Sequence, residues 1–201
     1  TCYYNQDLFL NMFEDLNKKL GRTVPLIFTI GNHELGINSQ SKGRPYGGDK
    51  DPLFFMFYPQ HRGSKSLVPE ISERETYFYH IIGKSIHLSL DSAYLSPIEG
   101  KQTEWIEEIS LKFPDLAKFA NYHTPFYPGC YLPLDTPDKL MDLGKETWGA
   151  MFEKYNFTGV FEHHFHLFKK TFPIRNGNID PNGVVYLGDG NWGMGLNRCL
   201  K

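Results

Sequence analysis

No run of apolar residues in this chain approaches the ~20 that a membrane-spanning helix needs. There is little net charge, −2, and no basic stretch, so the chain offers no electrostatic footprint for nucleic acid. Cysteine is scarce: Cys2, Cys130 and Cys199 are the 3 present, and they lack the paired spacing of a zinc ribbon. Cys2 and Cys199 stand near opposite ends, and the sequence itself does not pair them. Internal repeats are absent, and so is a visible signal peptide. The chain opens on Thr1 rather than Met, so its N-terminus reads as processed, cut or incomplete.

What is present is the material of one globular domain. The 201 residues leave room for a sizeable core, with apolar residues at 40%, charged at 22% and aromatics at a high 15%. Asn156-Phe157-Thr158 has the pattern of a glycosylation acceptor, meaningful only in a secreted protein.

Periodicity supplies the elements. Gln6 to Leu20 reads as an amphipathic helix with Leu8, Met12, Leu16 and Leu20 on one face and Phe9 and Phe13 beside them. Leu26 to Ile30 is apolar with β-branched residues, the signature of a buried strand, and ends at Gly31. Residues 35–52, rich in Gly, Ser, Lys and Pro, read as a long surface loop. Phe54 to Tyr58 is aromatic but too short to assign. Thr76 to Ile82 and Ser85 to Leu90 flank Gly83-Lys84 as a hairpin. Gln102 to Phe113 reads as a helix with Trp105, Ile106 and Ile109 inward, and Ala117 to Tyr122 as a strand ending at His123. Asp138 to Tyr155 is a second such helix, carrying Leu140, Leu143, Trp148, Met151 and Phe152. A strand closed by Val160-Phe161 stops at His163-His164, and Val184 to Leu187 stops at Gly188-Asp189-Gly190. This order predicts an α/β chain with a mixed sheet.

The histidines carry the chemical argument. Of the 8, His61 falls in a basic loop, and His80 and His87 lie on the hairpin as ordinary strand residues. Asn32, His33, His123, His163, His164 and His166 instead stand where strands end, the place where open α/β sheets bind their ligands. His164 and His166, one residue apart, point the same way in extended chain and so could reach one cluster. Neutral imidazole suits zinc, iron, copper and nickel, and an Asn carbonyl oxygen can join it. Such a set, with carboxylates added, would suit two divalent metals ~3.5–4 Å apart that grip a phosphoryl oxygen and generate a hydroxide.

Three motifs now read together. Gly31-Asn32-His33-Glu34, His123-Thr124-Pro125-Phe126-Tyr127 and His164-Phe165-His166 resemble those of the calcineurin-like metallophosphoesterases, and more narrowly of the purple acid phosphatases. Leu90-Asp91-Ser92 followed by Gln102-Thr103-Glu104-Trp105, and Tyr186 to Asn191, resemble that family's other landmarks, so the similarity spans roughly residues 5–195. It implies a metallophosphoesterase-type β-sandwich of two mixed sheets flanked by helices, an α/β (α+β) fold. It implies that Asn32, His123 and His164 ligate one metal and His166 the other, a centre of iron with zinc, manganese or iron. His33 would act over the phosphate as the catalytic donor, with Tyr127 beside it at the substrate. The implied reaction is hydrolysis of a phosphate monoester by metal-bound hydroxide. The implied location is secreted, lysosomal or vacuolar, in keeping with Asn156 as a glycosylation acceptor and with a Cys2–Cys199 bridge.

Two departures stand out. The family's upstream aspartates and tyrosine would precede Thr1, and Tyr3, Tyr4 and Asp7 are too close to the helix to replace them. The chain is therefore expected to be a single partial domain, 1–201, with N-terminal strands missing and a sheet edge open to a homo-oligomer or partner chain. The family's glycine before its His-x-His pair is replaced by His163, which would crowd the site or add a ligand. These departures favour an alternative, a catalytically inactive phosphatase-like scaffold or subunit of a larger assembly; a metal-binding module without chemistry is a third.

Overall fold

The computed structural model describes residues 2–32, 75–129 and 138–189. His33, Glu34, the loop 35–52, Phe54 to Tyr58, His61, Cys130, Cys199 and Gly190-Asn191 lie outside the described residues, and with them the Cys2–Cys199 pairing.

Helix α1 (Cys2–Leu20) opens the chain. Strands β1 (Phe78–Ile82) and β2 (Ser85–Ser89) form the expected hairpin, with His80 opposite His87. Gly83 takes φ 59 at the turn, a left-handed conformation that a glycine adopts without strain. Helix α2 (Lys101–Lys112) leads to β3 (Ala117–Tyr122). Helix α3 (Asp138–Gly144) passes through a π-helical turn, Lys145–Gly149, into α4 (Ala150–Lys154), so the third predicted helix is one rod with a wide turn inside it. Then come β4 (Phe157–Glu162), β5 (Phe168–Lys170), the small pair β6 (Ile174–Arg175) and β7 (Asn178–Ile179), and β8 (Val185–Asp189).

The main sheet has six strands in the order β1-β2-β3-β4-β8-β5, and β6-β7 form a second sheet of two strands. The central four, β2, β3, β4 and β8, are parallel; β1 and β5 close the edges antiparallel. This mixed α/β arrangement is the fold class expected from the order of elements. Parallel strands end on the same edge, so the segments after Ser89, Tyr122 and Glu162 emerge side by side.

One face of the sheet holds the core. Ile86, Leu88, Ala120, Tyr122, Val160 and Tyr186 meet Trp105, Ile106 and Ile109 of α2 and the Trp148 and Phe152 rings of the rod over 138–154. Trp148 is fully buried, and its indole N–H donates to Ile98 O and Thr103 Oγ1, both at 3.1 Å, so the burial leaves no polar atom orphaned. Gly144 is required here: a Cβ on it would sit 2.1 Å from the buried Phe126 ring.

Two expectations need correction. Residues 26–30 are not a strand; 23–31 run without regular structure. The apolar pattern is strand-like, but a strand exists only where a neighbour supplies a ladder. Here the segment is tied down by side chains instead, with Thr29 Oγ1 donating to Leu90 O at 2.6 Å. The α1 face formed by Leu8, Met12, Leu16 and Leu20 stays 40–63% exposed, while Phe9 and Phe13 are half-buried and Phe9 sets its ring edge-on to Phe28. The helix thus rests on the face next to the one its leucines mark.

Candidate functional site

The site begins with the register of β3 and β4. Tyr122 is opposite Glu162, so the next residues leave the sheet together, and His163 N donates to His123 O at 3.0 Å. His164 then takes φ 60, a left-handed backbone uncommon outside glycine and stored mostly at functional turns. The consequence is a reversal that brings His164 back to the end of β3. His164 Nδ1 lies 3.1 Å from His123 Nε2, with the two rings at 73°. Asn32 arrives from the irregular segment and sets its Oδ1 2.8 Å from the same His123 nitrogen.

The structure therefore brings together three of the residues singled out in the sequence: Asn32, His123 and His164. Bonds of about 2.0–2.2 Å from one metal ion place neighbouring ligand atoms roughly 2.8–3.4 Å apart, and the two observed separations fall in that range. The donor types, two imidazole nitrogens and an amide oxygen, also suit a divalent cation. This spacing fits part of a coordination shell. Among the described residues no three His, Cys, Asp or Glu side chains form a group that could hold a metal ion. His166 is half-buried and is not a third imidazole of such a group with His123 and His164. The reason is the backbone: with His164 left-handed, the extended-chain alternation that would align His164 with His166 does not apply.

Tyr127 is half-buried and packs against the core. Its ring lies 4.4 Å from that of Tyr186, centroid to centroid, and burial pushes its phenol pKa up. His163 neither crowds nor joins the three atoms through its Nε2, which is 2.7 Å from Asn121 Oδ1. The ring lines a cleft of about 330 Å³ on the other face of the sheet with Pro25, Ile27, His87, Phe119 and Phe161. His80 and His87 behave as strand residues; His87 stacks on Phe119 at 5.0 Å, and burial lowers its pKa.

The loop after β2 braces His123. Asp91, wholly buried, accepts hydrogen bonds from Thr76 Oγ1 and from the amides of Tyr94, Leu95 and Ser96. It thereby shapes a turn in which Ser92 Oγ accepts Thr124 N at 2.8 Å and Tyr94 OH lies 2.9 Å from Thr124 Oγ1. Tyr94 also sets its ring edge-on to His123 at 5.7 Å. Sequence reasoning missed a second brace. Glu162, fully buried, accepts Tyr122 OH and Phe126 N at 2.7 Å each and pairs with Lys169 Nζ. A glutamate at a strand end reads in sequence as an exit into water; only the lysine seven residues on, across a loop, hinted at a partner.

Comparison with known proteins follows the geometry. No protein-family model matches the chain. It is 26% identical over 192 residues to purple acid phosphatase 15 of Arabidopsis thaliana, covering 92% of this chain and 32% of that protein. Its fold matches the purple acid phosphatase PPD1 from yellow lupin (Lupinus luteus) seeds with a TM-score of 0.56 at 17% identity, over 84% of this chain and 31% of that one. The chain spans about a third of the length of these relatives. It is similar in sequence to purple acid phosphatases, and its mixed sheet with flanking helices matches part of that fold. Among the described residues, no helix is long and apolar enough to cross a membrane.

Proposed function

We propose that this chain is part of a metal-dependent phosphoric monoester hydrolase of the acid phosphatase type, and that residues 1–201 belong to one catalytic domain. The observation that carries this reading is the meeting of Asn32 Oδ1, His123 Nε2 and His164 Nδ1 at 2.8 and 3.1 Å, from segments 91 and 41 residues apart in sequence. Asn32, His123 and His164 would hold one metal and His166 a second, in a centre of iron with zinc, manganese or iron. The bound metals would supply Lewis acidity and an activated water.

The chain's own residues do the rest. The αL turn at His164 sets its backbone, and the Ser92–Thr124 and Tyr94–Thr124 contacts brace the residue that follows His123. His33, next to Asn32 in sequence, would donate a hydrogen bond to a phosphoryl oxygen or a proton to the departing alcohol. The phosphate monoester would thus be held on the edge where the parallel strands end. A secreted, lysosomal or vacuolar location accords with the sequon, since Asn156 and Thr158 are both exposed at the start of β4. The open cleft beside β3 accords with a covering chain or second copy on that face.

The test is metal content together with hydrolysis of p-nitrophenyl phosphate, measured on the whole protein supplied with Fe and Zn. The expected result is bound metal and turnover in the parent, and loss of both in His123→Ala. A parent that binds no transition metal would overturn the reading; a parent that binds metal but hydrolyses no ester would return it to the scaffold alternative.

A further inference from the structure

The buried ion pair of Glu162 and Lys169 sits directly behind the two strand ends that carry His123 and His164. Glu162 Oε1 accepts Tyr122 OH and Phe126 N, both at 2.7 Å, one residue before and three residues after His123. Its other oxygen pairs with Lys169 Nζ, which also donates to Tyr127 O. Glu162 is itself two residues before His164. One carboxylate thus binds the β3 end, the 123–127 turn and, through the lysine, β5. Neither side chain is more than 8% exposed, so the pair is not screened by solvent.

The surrounding sequence accommodates it. Gly188 of β8 pairs with Glu162, and a Cβ there would meet Lys169 Cε at 2.7 Å and Glu162 O at 2.9 Å. The lysine stem passes over the glycine to reach the carboxylate. A pair that served only to stabilise could sit anywhere in the core. This one joins just the segments whose separation decides whether His123 Nε2 and His164 Nδ1 meet.

We propose that Glu162, held by Lys169, is a positioning residue that sets the His123–His164 separation and thereby the affinity of the metal-binding constellation. The metal part of this statement rests on the proposed function; the positioning part does not. Groups that orient metal ligands from behind are typically worth about 10–100-fold in metal affinity.

Removing one partner alone leaves a buried charge and risks unfolding, so the experiment uses two neutral double variants of the full chain. Glu162→Gln with Lys169→Met keeps the accepting oxygen and the stem volume. Glu162→Leu with Lys169→Met keeps the volume and removes the acceptor. Two readouts are taken below the melting temperature of each: the ¹⁵N shifts and tautomers of the His123 and His164 imidazoles without metal, and the affinity for Co²⁺ by its visible absorption. The Gln/Met variant is expected to keep parent imidazole shifts and Co²⁺ affinity within about threefold. The Leu/Met variant is expected to move both imidazoles and weaken Co²⁺ by about 10-fold or more. A folded Leu/Met variant with parent imidazole shifts would overturn the proposal. Imidazole shifts that move as expected in a chain that never binds Co²⁺ would keep the positioning role and sink the metal reading instead.

Discussion

Thr76 and Asp91 meet at 2.6 Å, hydroxyl to carboxylate, with both residues almost wholly removed from water. Burial is the largest influence on Asp91 and pushes its carboxyl up to about 6 from an ordinary 3.8, against the downward pull of Thr76, Tyr94, Leu95 and Ser96. An acid whose folded pKa is raised binds its proton more readily folded than unfolded. Its contribution to stability is therefore full below about 3.8 and is lost as pH rises through about 6. The shift is worth about 3 kcal/mol at most. Urea unfolding at pH 4 and pH 7 should show this loss in the parent and a flatter dependence in Asp91→Asn. Equal pH slopes in the two proteins would count against a raised pKa.

Gly144→Ala should be destabilising, although alanine normally improves a helix by roughly 0.5–1 kcal/mol over glycine. The added methyl would fall within 2.1–2.4 Å of three Phe126 ring atoms. Phe126 is fully buried, and its amide is held by Glu162, so the ring has little freedom to retreat. Overpacking of this kind costs about 1–3 kcal/mol. A melting temperature equal to or above the parent's would show that the ring moves freely.

Tyr186→Phe should be neutral or stabilising. The hydroxyl is buried and finds no hydrogen-bond partner among the described residues, so the parent bears its desolvation without return. Deleting an unsatisfied buried polar group recovers on the order of 1 kcal/mol. Chemical denaturation would detect this, and a loss of stability of that size would reveal a partner such as trapped water.

His33→Ala should lower turnover of a phosphate monoester by about 10²–10⁴ while leaving metal content near the parent's. His123→Ala should strip metal, because His123 Nε2 is the atom that both Asn32 Oδ1 and His164 Nδ1 approach. Metal analysis of the two variants separates the roles; parallel metal loss in both would show that His33 is a ligand or supports one.

The legible part of the molecule was its periodic part. Residues 117–122, the hairpin and the helical stretches 102–113 and 138–155 follow from side-chain spacing, because one face of each packs on a core. The strand ends at His123 and His164 were legible for the same reason. Residues 26–30 misled because their pattern records burial, which is complete at Ile30 and partial at residues 26–29, and not pairing, which depends on a neighbour. The αL backbone of His164 was invisible because no glycine marks it. Glu162 was invisible because a buried charge is identified by its partners, and Tyr122, Phe126 and Lys169 are scattered along the chain.

Parallel pairing of β3 with β4 has a kinetic side. The crossover between them must close before His123 and His164 can meet, and the contact between Asn32 and His123 closes a loop of 91 residues. Loop closure over such separations is entropically costly and comes late, after the hairpin and helices that need only local contacts. The meeting of the three donor atoms would therefore mark a late step of folding. A metal ion that requires all three would bind at the rate at which the last long-range contact forms, and would leave partly folded chains unlabelled.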